Sequence, residues 1–411
     1  MDRPWTGGQY SIYRFLLGAY LMVHFAMLLP YGGEMFAAGG AVADGSMSPL
    51  FGVLANPLMF NDSALAVSVL IALGGLCGVA LAVGWWDRVS AVLAALILGW
   101  LFQRNPLIAN PSLPLIGWLL VVHVFVLTRP YGSLAGALHG TSPDWRLPKH
   151  LHLAVWIMLA LCYTHSGWTK LASPSWVDGD TIRLVLENPL ARDHALRTWL
   201  LAGPPIILKG VTWFVLGAEL LFAPFALSRR MRPWIWLCML LAQCGFLVLL
   251  DFADLTFPML LVHLLAFEPA WLEHYEKQQS AVVLFDGDCA FCHASVRLAM
   301  HEDPTLRLKF APLAGETAKR LLGVSPPPHG GDSIVVVGED GSVEVKSRAV
   351  AAVLERLGGL WLMPAAILRV MPRSFADMAY DLVGHWRYRI ARRGESRLCP
   401  LATEAGKRML Q

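Results

Sequence analysis

Charge is scarce in this 411-residue chain: Asp, Glu, Lys and Arg together supply 15% of it, against roughly 25% in soluble globular domains. Hydrophobic residues supply 56%, above the roughly 45–50% of such domains, which points to a bilayer rather than one oversized core. The formal net charge is only +3 and no Lys/Arg block dominates, so nucleic acid is excluded as an expected partner. A disulfide framework is excluded too, because the seven Cys are odd in number and irregularly spaced. Cys77, Cys162, Cys238 and Cys244 lie in apolar segments, where a free Cys behaves as a small hydrophobe. His24, His123, His152 and His263 fall one per segment, without HxxxH or HExxH spacing, so no metal is expected there. Neither an internal repeat nor a cleavable signal peptide is evident, and the first apolar stretch reads as a retained helix.

What is present is a series of apolar runs, each near the roughly 20 residues that cross a bilayer as a helix. They are Ser11–Pro30, Ala64–Trp85, Val89–Phe102, Leu113–Leu127, His150–Gly167, Ile206–Leu227, Pro233–Leu250 and Leu255–Phe267. The expectation is a polytopic α-helical membrane domain over residues 1–270, with about eight transmembrane helices. Sixteen Trp suit many membrane–water boundaries. Asp87-Arg88, Thr128–Lys149 and Arg229–Arg232 fall on one side, and the Lys/Arg-free loop Tyr31–Ser63 on the other. The positive-inside rule therefore sets both termini in the cytoplasm of a cell membrane. The mixed-charge loop Trp168–Pro205 falls outside and reads as a folded segment.

After a linker at 271–280 the pattern changes. Ala281–Phe285 reads as a strand, Cys289–Met300 as a helix and Leu306–Phe310 as a strand. Ala314–Leu322 reads as a helix, Ser333–Val337 and Val343–Lys346 as a hairpin, and Arg348–Leu357 as a helix. That order predicts an α/β thioredoxin-like domain over 281–411. Its basic, aromatic tail from Leu360 to Gly394 reads as helix, on the inner leaflet or on its own domain.

The strand 281–285 runs into Asp286-Gly287-Asp288-Cys289-Ala290-Phe291-Cys292. A helix start stabilises a thiolate, and a spacing of three puts both sulfurs on one helix face. Cys289 reads as the attacking thiolate and Cys292 as the resolving thiol, with Asp286 and Asp288 capping the turn or moving a proton. With His293 the segment also fits CxxCH haem attachment; zinc ligation and a structural Cys pair are further readings.

Residues 285–292 resemble the signature of the DCC family of thiol-disulfide oxidoreductases, named for Asp-x-Cys-x-x-Cys. The resemblance extends over roughly Ala281 to Cys399 and includes Asp332-Ser333. It implies a thioredoxin-like fold and dithiol–disulfide exchange with a thiol or disulfide partner. No Pro directly precedes the strand Ser333–Val337, where ordinary thioredoxins carry a cis-Pro.

Residues 5–270 look like the HTTM family, the membrane domain shared with vitamin K-dependent gamma-carboxylase. Ser11–Gly18, with Arg14, and Tyr163–Leu171 followed by Trp176–Gly179 carry that resemblance. It implies a general base at Lys170 and a quinone, of the vitamin K type, in the membrane domain. Read directly from the residues, Lys170 is equally an interfacial anchor. His165, Glu219 and Arg14 are further candidates, since an ionisable group within an apolar span is costly and often functional. Glu219 has Arg14 or Lys209 as its expected partner.

The leading expectation is a membrane-bound thiol-disulfide oxidoreductase. One alternative is a carboxylase-like modifying enzyme with the dithiol domain as reductant, and another is a non-catalytic scaffold or transporter. On the expected topology about 30 Å of hydrocarbon separates Lys170 from Cys289.

Overall fold

The computed structural model describes residues 3–108, 110, 112–142, 144–287, 289–323, 333–390 and 408–410. Asp288, Asp332 and Cys399 therefore lie outside the described residues, as do most of the expected tail beyond residue 390.

Each apolar run forms a helix. In chain order they are α1 (Gly7–Leu28), α2 (Ala64–Val83), α3 (Asp87–Arg104) and α4 (Leu113–Val124), then α5 (Lys149–Lys170), α6 (Pro205–Leu220), α7 (Arg232–Leu249) and α8 (Ala253–Ala266). Local chemistry sets several of the ends. Ser63 caps α2 through its side chain, Gly84 ends it in the left-handed conformation, and Pro205 opens α6. The sixth run is shorter than expected, because the chain breaks at Leu221 before a separate short helix, Phe222–Leu227.

Among the described residues, three stretches are long and apolar enough to cross a membrane: Gly7–Phe36, Ala64–Val83 and Arg232–Leu249. The number rises to five if two bent pairs each count as one span. These are Ala195–Ala202 with Pro205–Leu220, bent by 105°, and Asp254–Ala266 with Pro269–Tyr275, bent by 63°.

The α1–α2 contact runs backbone to backbone. A Cβ on Gly18 would lie 2.4 Å from the Ala82 nitrogen, and one on Gly78 would lie 2.7 Å from the Met22 nitrogen. Small residues at such a crossing substitute close van der Waals approach for side-chain interdigitation. Outward-facing side chains stay apolar, with Leu65 75%, Leu76 65% and Phe214 65% exposed. Apolar surface on that scale suits a lipid environment. The segment Trp168–Pro205 is folded, with short helices at Pro174–Val177, Thr181–Glu187 and Ala195–Ala202.

The C-terminal unit is a small mixed sheet flanked by helices. It runs β1 (Ala281–Phe285), α9 (Ala290–Glu302), β2 (Leu308–Pro312), α10 (Glu316–Leu322), β3 (Val335–Gly338), β4 (Val343–Val345) and α11 (Lys346–Leu357), then α12 (Leu362–Val370) and α13 (Arg373–Ile390). The sheet order is β2-β1-β3-β4, with β1 parallel to β2 and antiparallel to β3, and β3 antiparallel to β4. Val283 sits at its centre, opposite Phe310 on one side and Val336 on the other. β1 is apolar at all five positions, as a central strand covered on both faces must be. Residues Arg408–Leu410 return alongside β2. The Phe310 N–H donates to the Arg408 carbonyl at 2.9 Å, and the Leu410 N–H to the Phe310 carbonyl at 2.8 Å.

The two units touch through buried polar groups. Glu302, the last residue of α9, is fully buried. Its carboxylate accepts from the Gly8 N–H at 2.7 Å, from the Thr6 hydroxyl, and from Trp361 Nε1 at 2.9 Å. Glu276 pairs with Arg3 and, at 3.0 Å, with Arg307. Burial, together with the neighbouring Arg307 charge, pushes the Arg3 guanidinium down to about 10. The expected linker 271–280 is thus not a free connector: Trp271 packs against the helical core, and Glu276 is locked in this ionic cluster.

Candidate functional site

The strand β1 is hydrophobic and short, so the chain must turn once Phe285 is buried, and the turn delivers Cys289 to the N-cap of α9. The Cys289 backbone is extended there, and its Sγ accepts the Cys292 N–H at 3.2 Å. Ser, Thr, Asp and Asn are the usual N-caps; a Cys in that position directs an unpaired helix amide, and the positive end of the helix, at sulfur.

The Asp286 carboxylate, Cys289 Sγ and Cys292 Sγ lie within 4.8 Å of one another. Both cysteines are free thiols. Among the described residues these three could hold a metal ion, offering three ligands where structural zinc takes four. His293, the last residue of the CxxCH pattern, turns back on its own loop. Its Nε2 lies 2.7 Å from the Gly287 carbonyl, and its ring stands edge-on to Phe285 at 5.4 Å.

The two sulfurs differ in access. Cys289 is 2% exposed, whereas Cys292 is half-buried and lines a cavity of about 430 Å³ together with Asp286. Cys289, held by the helix start, is therefore the covered residue, and Cys292, one turn on, is the one that lines the cavity.

The candidates in the helical region gather only in part. Lys170, at the end of α5, meets Glu219 of α6, with Nζ 2.5 Å from each carboxylate oxygen. It also sits 4.4 Å above the Trp176 ring. Glu219 thus pairs with Lys170 and not with the partners expected for it. Lys209 bonds Asp180 at 3.2 Å and the Asp178 carbonyl at 3.0 Å. Arg14 is buried, donating to the carbonyls of Leu81 at 3.3 Å and Gly132 at 3.2 Å, which ties α1 to two neighbouring segments. His165 is exposed on α5.

A polar group that the sequence reading left out lies about two turns before Lys170 on α5, at Tyr163. Gln243 donates to the Tyr163 hydroxyl at 3.1 Å, and that hydroxyl lies 3.3 Å from His263 Nε2. The available signal was Gln243 itself, an amide in an otherwise apolar helix.

A buried strand, an acidic turn and a helix start bring Asp286, Cys289 and Cys292 together. Residues 283–393 match the DCC1-like thiol-disulfide oxidoreductase family, and the chain belongs to that family through this unit. It is similar to the uncharacterized protein YuxK of Bacillus subtilis (strain 168), 35% identical over 115 residues, which are 28% of this chain and 82% of that protein. It is also similar to the DCC family protein At1g52590, chloroplastic, of Arabidopsis thaliana. There the identity is 28% over 122 residues, 30% of this chain and 71% of that protein. No solved structure matches it significantly.

Proposed function

We propose that this chain is a membrane-bound thiol-disulfide oxidoreductase whose redox pair is Cys289 and Cys292. The observation that carries this reading is the Cys289 Sγ at the α9 N-cap, accepting the Cys292 amide within a unit of the DCC1-like family. The β2-β1-β3-β4 order with one parallel pair supports a thioredoxin-like domain from residue 281. The apolar helices and their exposed apolar faces support anchoring of residues 1–270 in the cell membrane. The basic loops support a cytoplasmic dithiol.

In the reaction, the Cys289 thiolate and the Cys292 thiol give up two electrons and one proton to a partner disulfide, whose S–S bond breaks to a thiol and a thiolate as the Cys289–Cys292 bond forms. Asp286 is the carboxylate that moves a proton at Cys292. Redox titration of the purified full chain, read by differential alkylation and mass spectrometry, tests this. A single two-electron transition confined to the 289–292 peptide is expected, and Cys289→Ser abolishes it. A dithiol that stays reduced under every glutathione ratio overturns the reading.

A second reading draws on the Lys170–Glu219 pair under Trp176. Lys170 acts as a base on a lipid-like substrate such as a hydroquinone, taking its O–H proton once its own has passed to Glu219. Loss of that activity in Lys170→Ala is expected, and full retention overturns it.

A further inference from the structure

The cavity beside the dithiol is walled almost entirely by carbon. Its floor is the sheet, with Val283 and Phe310, and its sides are α9, α11 and α13. It exists because α13 turns small residues toward the sheet: Ala376, Ala379 and Gly384 leave open the volume that leucines would fill. At about 430 Å³ it falls within the roughly 300–1,000 Å³ of small-molecule sites, which are mostly apolar with a few polar groups. Here those polar groups include Cys292 and Asp286, so the less buried cysteine of the pair borders this space.

The occupant is constrained by what the walls lack. An extended peptide needs partners for its amides, and a buried amide without one is costly. Two wall hydroxyls are already engaged: Tyr380 accepts the Ile334 N–H at 3.0 Å, and Ser347 bonds Asp377. The wall therefore suits a compact, mostly apolar molecule. The unit is docked on apolar helices, which supply a lipid phase from which such a molecule partitions.

We propose that this cavity binds a lipophilic quinone as the oxidant of the dithiol. The inference rests on the redox reading of Cys289 and Cys292 and names the electron acceptor. The Cys292 sulfur, its proton taken by Asp286, adds to the quinone ring. The Cys289 thiolate then attacks Cys292 Sγ, so that the S–S bond forms and the C–S bond breaks with its electron pair left on the ring. The two thiol protons end on the two oxygens, giving hydroquinone and disulfide. The exchange takes place at the dithiol and needs no relay to Lys170.

The test uses the pre-reduced full chain in detergent micelles with two oxidants, decylubiquinone and the hydrophilic hydroxyethyl disulfide. Two variants narrow the cavity: Ala379→Phe, and Val383→Trp on the exposed face of α13. Oxidation by decylubiquinone is expected to saturate and to fall roughly tenfold or more in both variants, with the rate for the small hydroxyethyl disulfide falling far less. Quinone rates that are linear in concentration and equal in all three proteins overturn the proposal while leaving the dithiol reading intact. A wild-type protein inert toward hydroxyethyl disulfide as well overturns the dithiol reading itself.

Discussion

Glu302 closes α9 and at the same time caps α1, its carboxylate accepting the Gly8 N–H at 2.7 Å. The helix that begins at the dithiol thus ends on the first turn of the first apolar helix, where a negative charge meets the positive end of a helix dipole. The approach is close enough that a Cβ on Gly8 would lie 2.7 Å from the Glu302 carboxyl carbon.

Glu302→Ala removes the acceptor for Gly8, Thr6 and Trp361 together, leaving buried donors without partners. A loss of about 1–3 kcal/mol per stranded buried group is the usual scale. The full chain is expected to show faster hydrogen exchange at residues 6–9 and a lower melting temperature. Glu302→Gln should be milder, because it keeps an acceptor oxygen. Exchange unchanged in both variants would mean that the contact does not hold the units together.

Alkylation should follow exposure. Cys289 is 2% exposed and Cys292 half-buried, so iodoacetamide applied to the native reduced protein should label Cys292 first, by roughly tenfold or more. Peptide mass spectrometry over a time course reads the order directly. Preferential labelling of Cys289 would show that the turn at 286–289 opens in solution.

The contact between the units should weaken in acid. His301 of α9 stacks on Tyr131 at 4.6 Å, and burial, aided by the Arg297 charge, lowers its pKa below the ordinary 6.5. A folded-state pKa below the unfolded one means that the unfolded form binds more protons, so stability rises with pH across that window. The contribution is complete above 6.5 and is lost as pH falls through the lowered value. His301→Phe keeps the stack without the charge. It should flatten the melting-temperature profile between neutrality and mild acid, and an unchanged slope would assign the acid loss to another group.

Glu219→Gln strands the Lys170 ammonium. The cost should fall below the roughly 3–5 kcal/mol of breaking a fully buried pair, because Lys170 keeps 21% of its side chain exposed. The double change Lys170→Leu with Glu219→Leu should recover most of the lost thermal stability, since two apolar groups replace two charges. A double variant no more stable than Glu219→Gln alone would point to a role for Lys170 beyond pairing.

Elements governed by local pattern were legible in the sequence. The five-residue apolar run of β1 matches its strand residue for residue, and the eight apolar runs each contain a helix. Boundaries set by partners distant in sequence were less so. The strand read at 306–310 begins at Leu308, because the Asp303 carboxylate holds the Leu308 N–H at 2.9 Å. In the site, the Cys spacing and the helix start were readable. That Cys289 is the covered sulfur was not, since its burial comes from tertiary packing. The Lys170–Glu219 pairing joins residues 49 apart, and no pattern within either helix selects it over Lys209.

One last consequence attaches to Arg408, Met409 and Leu410 beside β2. β2 is the outermost strand of its sheet, and this short return occupies hydrogen-bonding positions that an edge strand otherwise presents to other molecules. Arg408 also pairs with the buried Asp303. A chain shortened to end before Arg408 would bare that ladder and leave that carboxylate without its cation, and such an open edge invites the same strand of a second molecule. These three residues thus guard the protein against self-association.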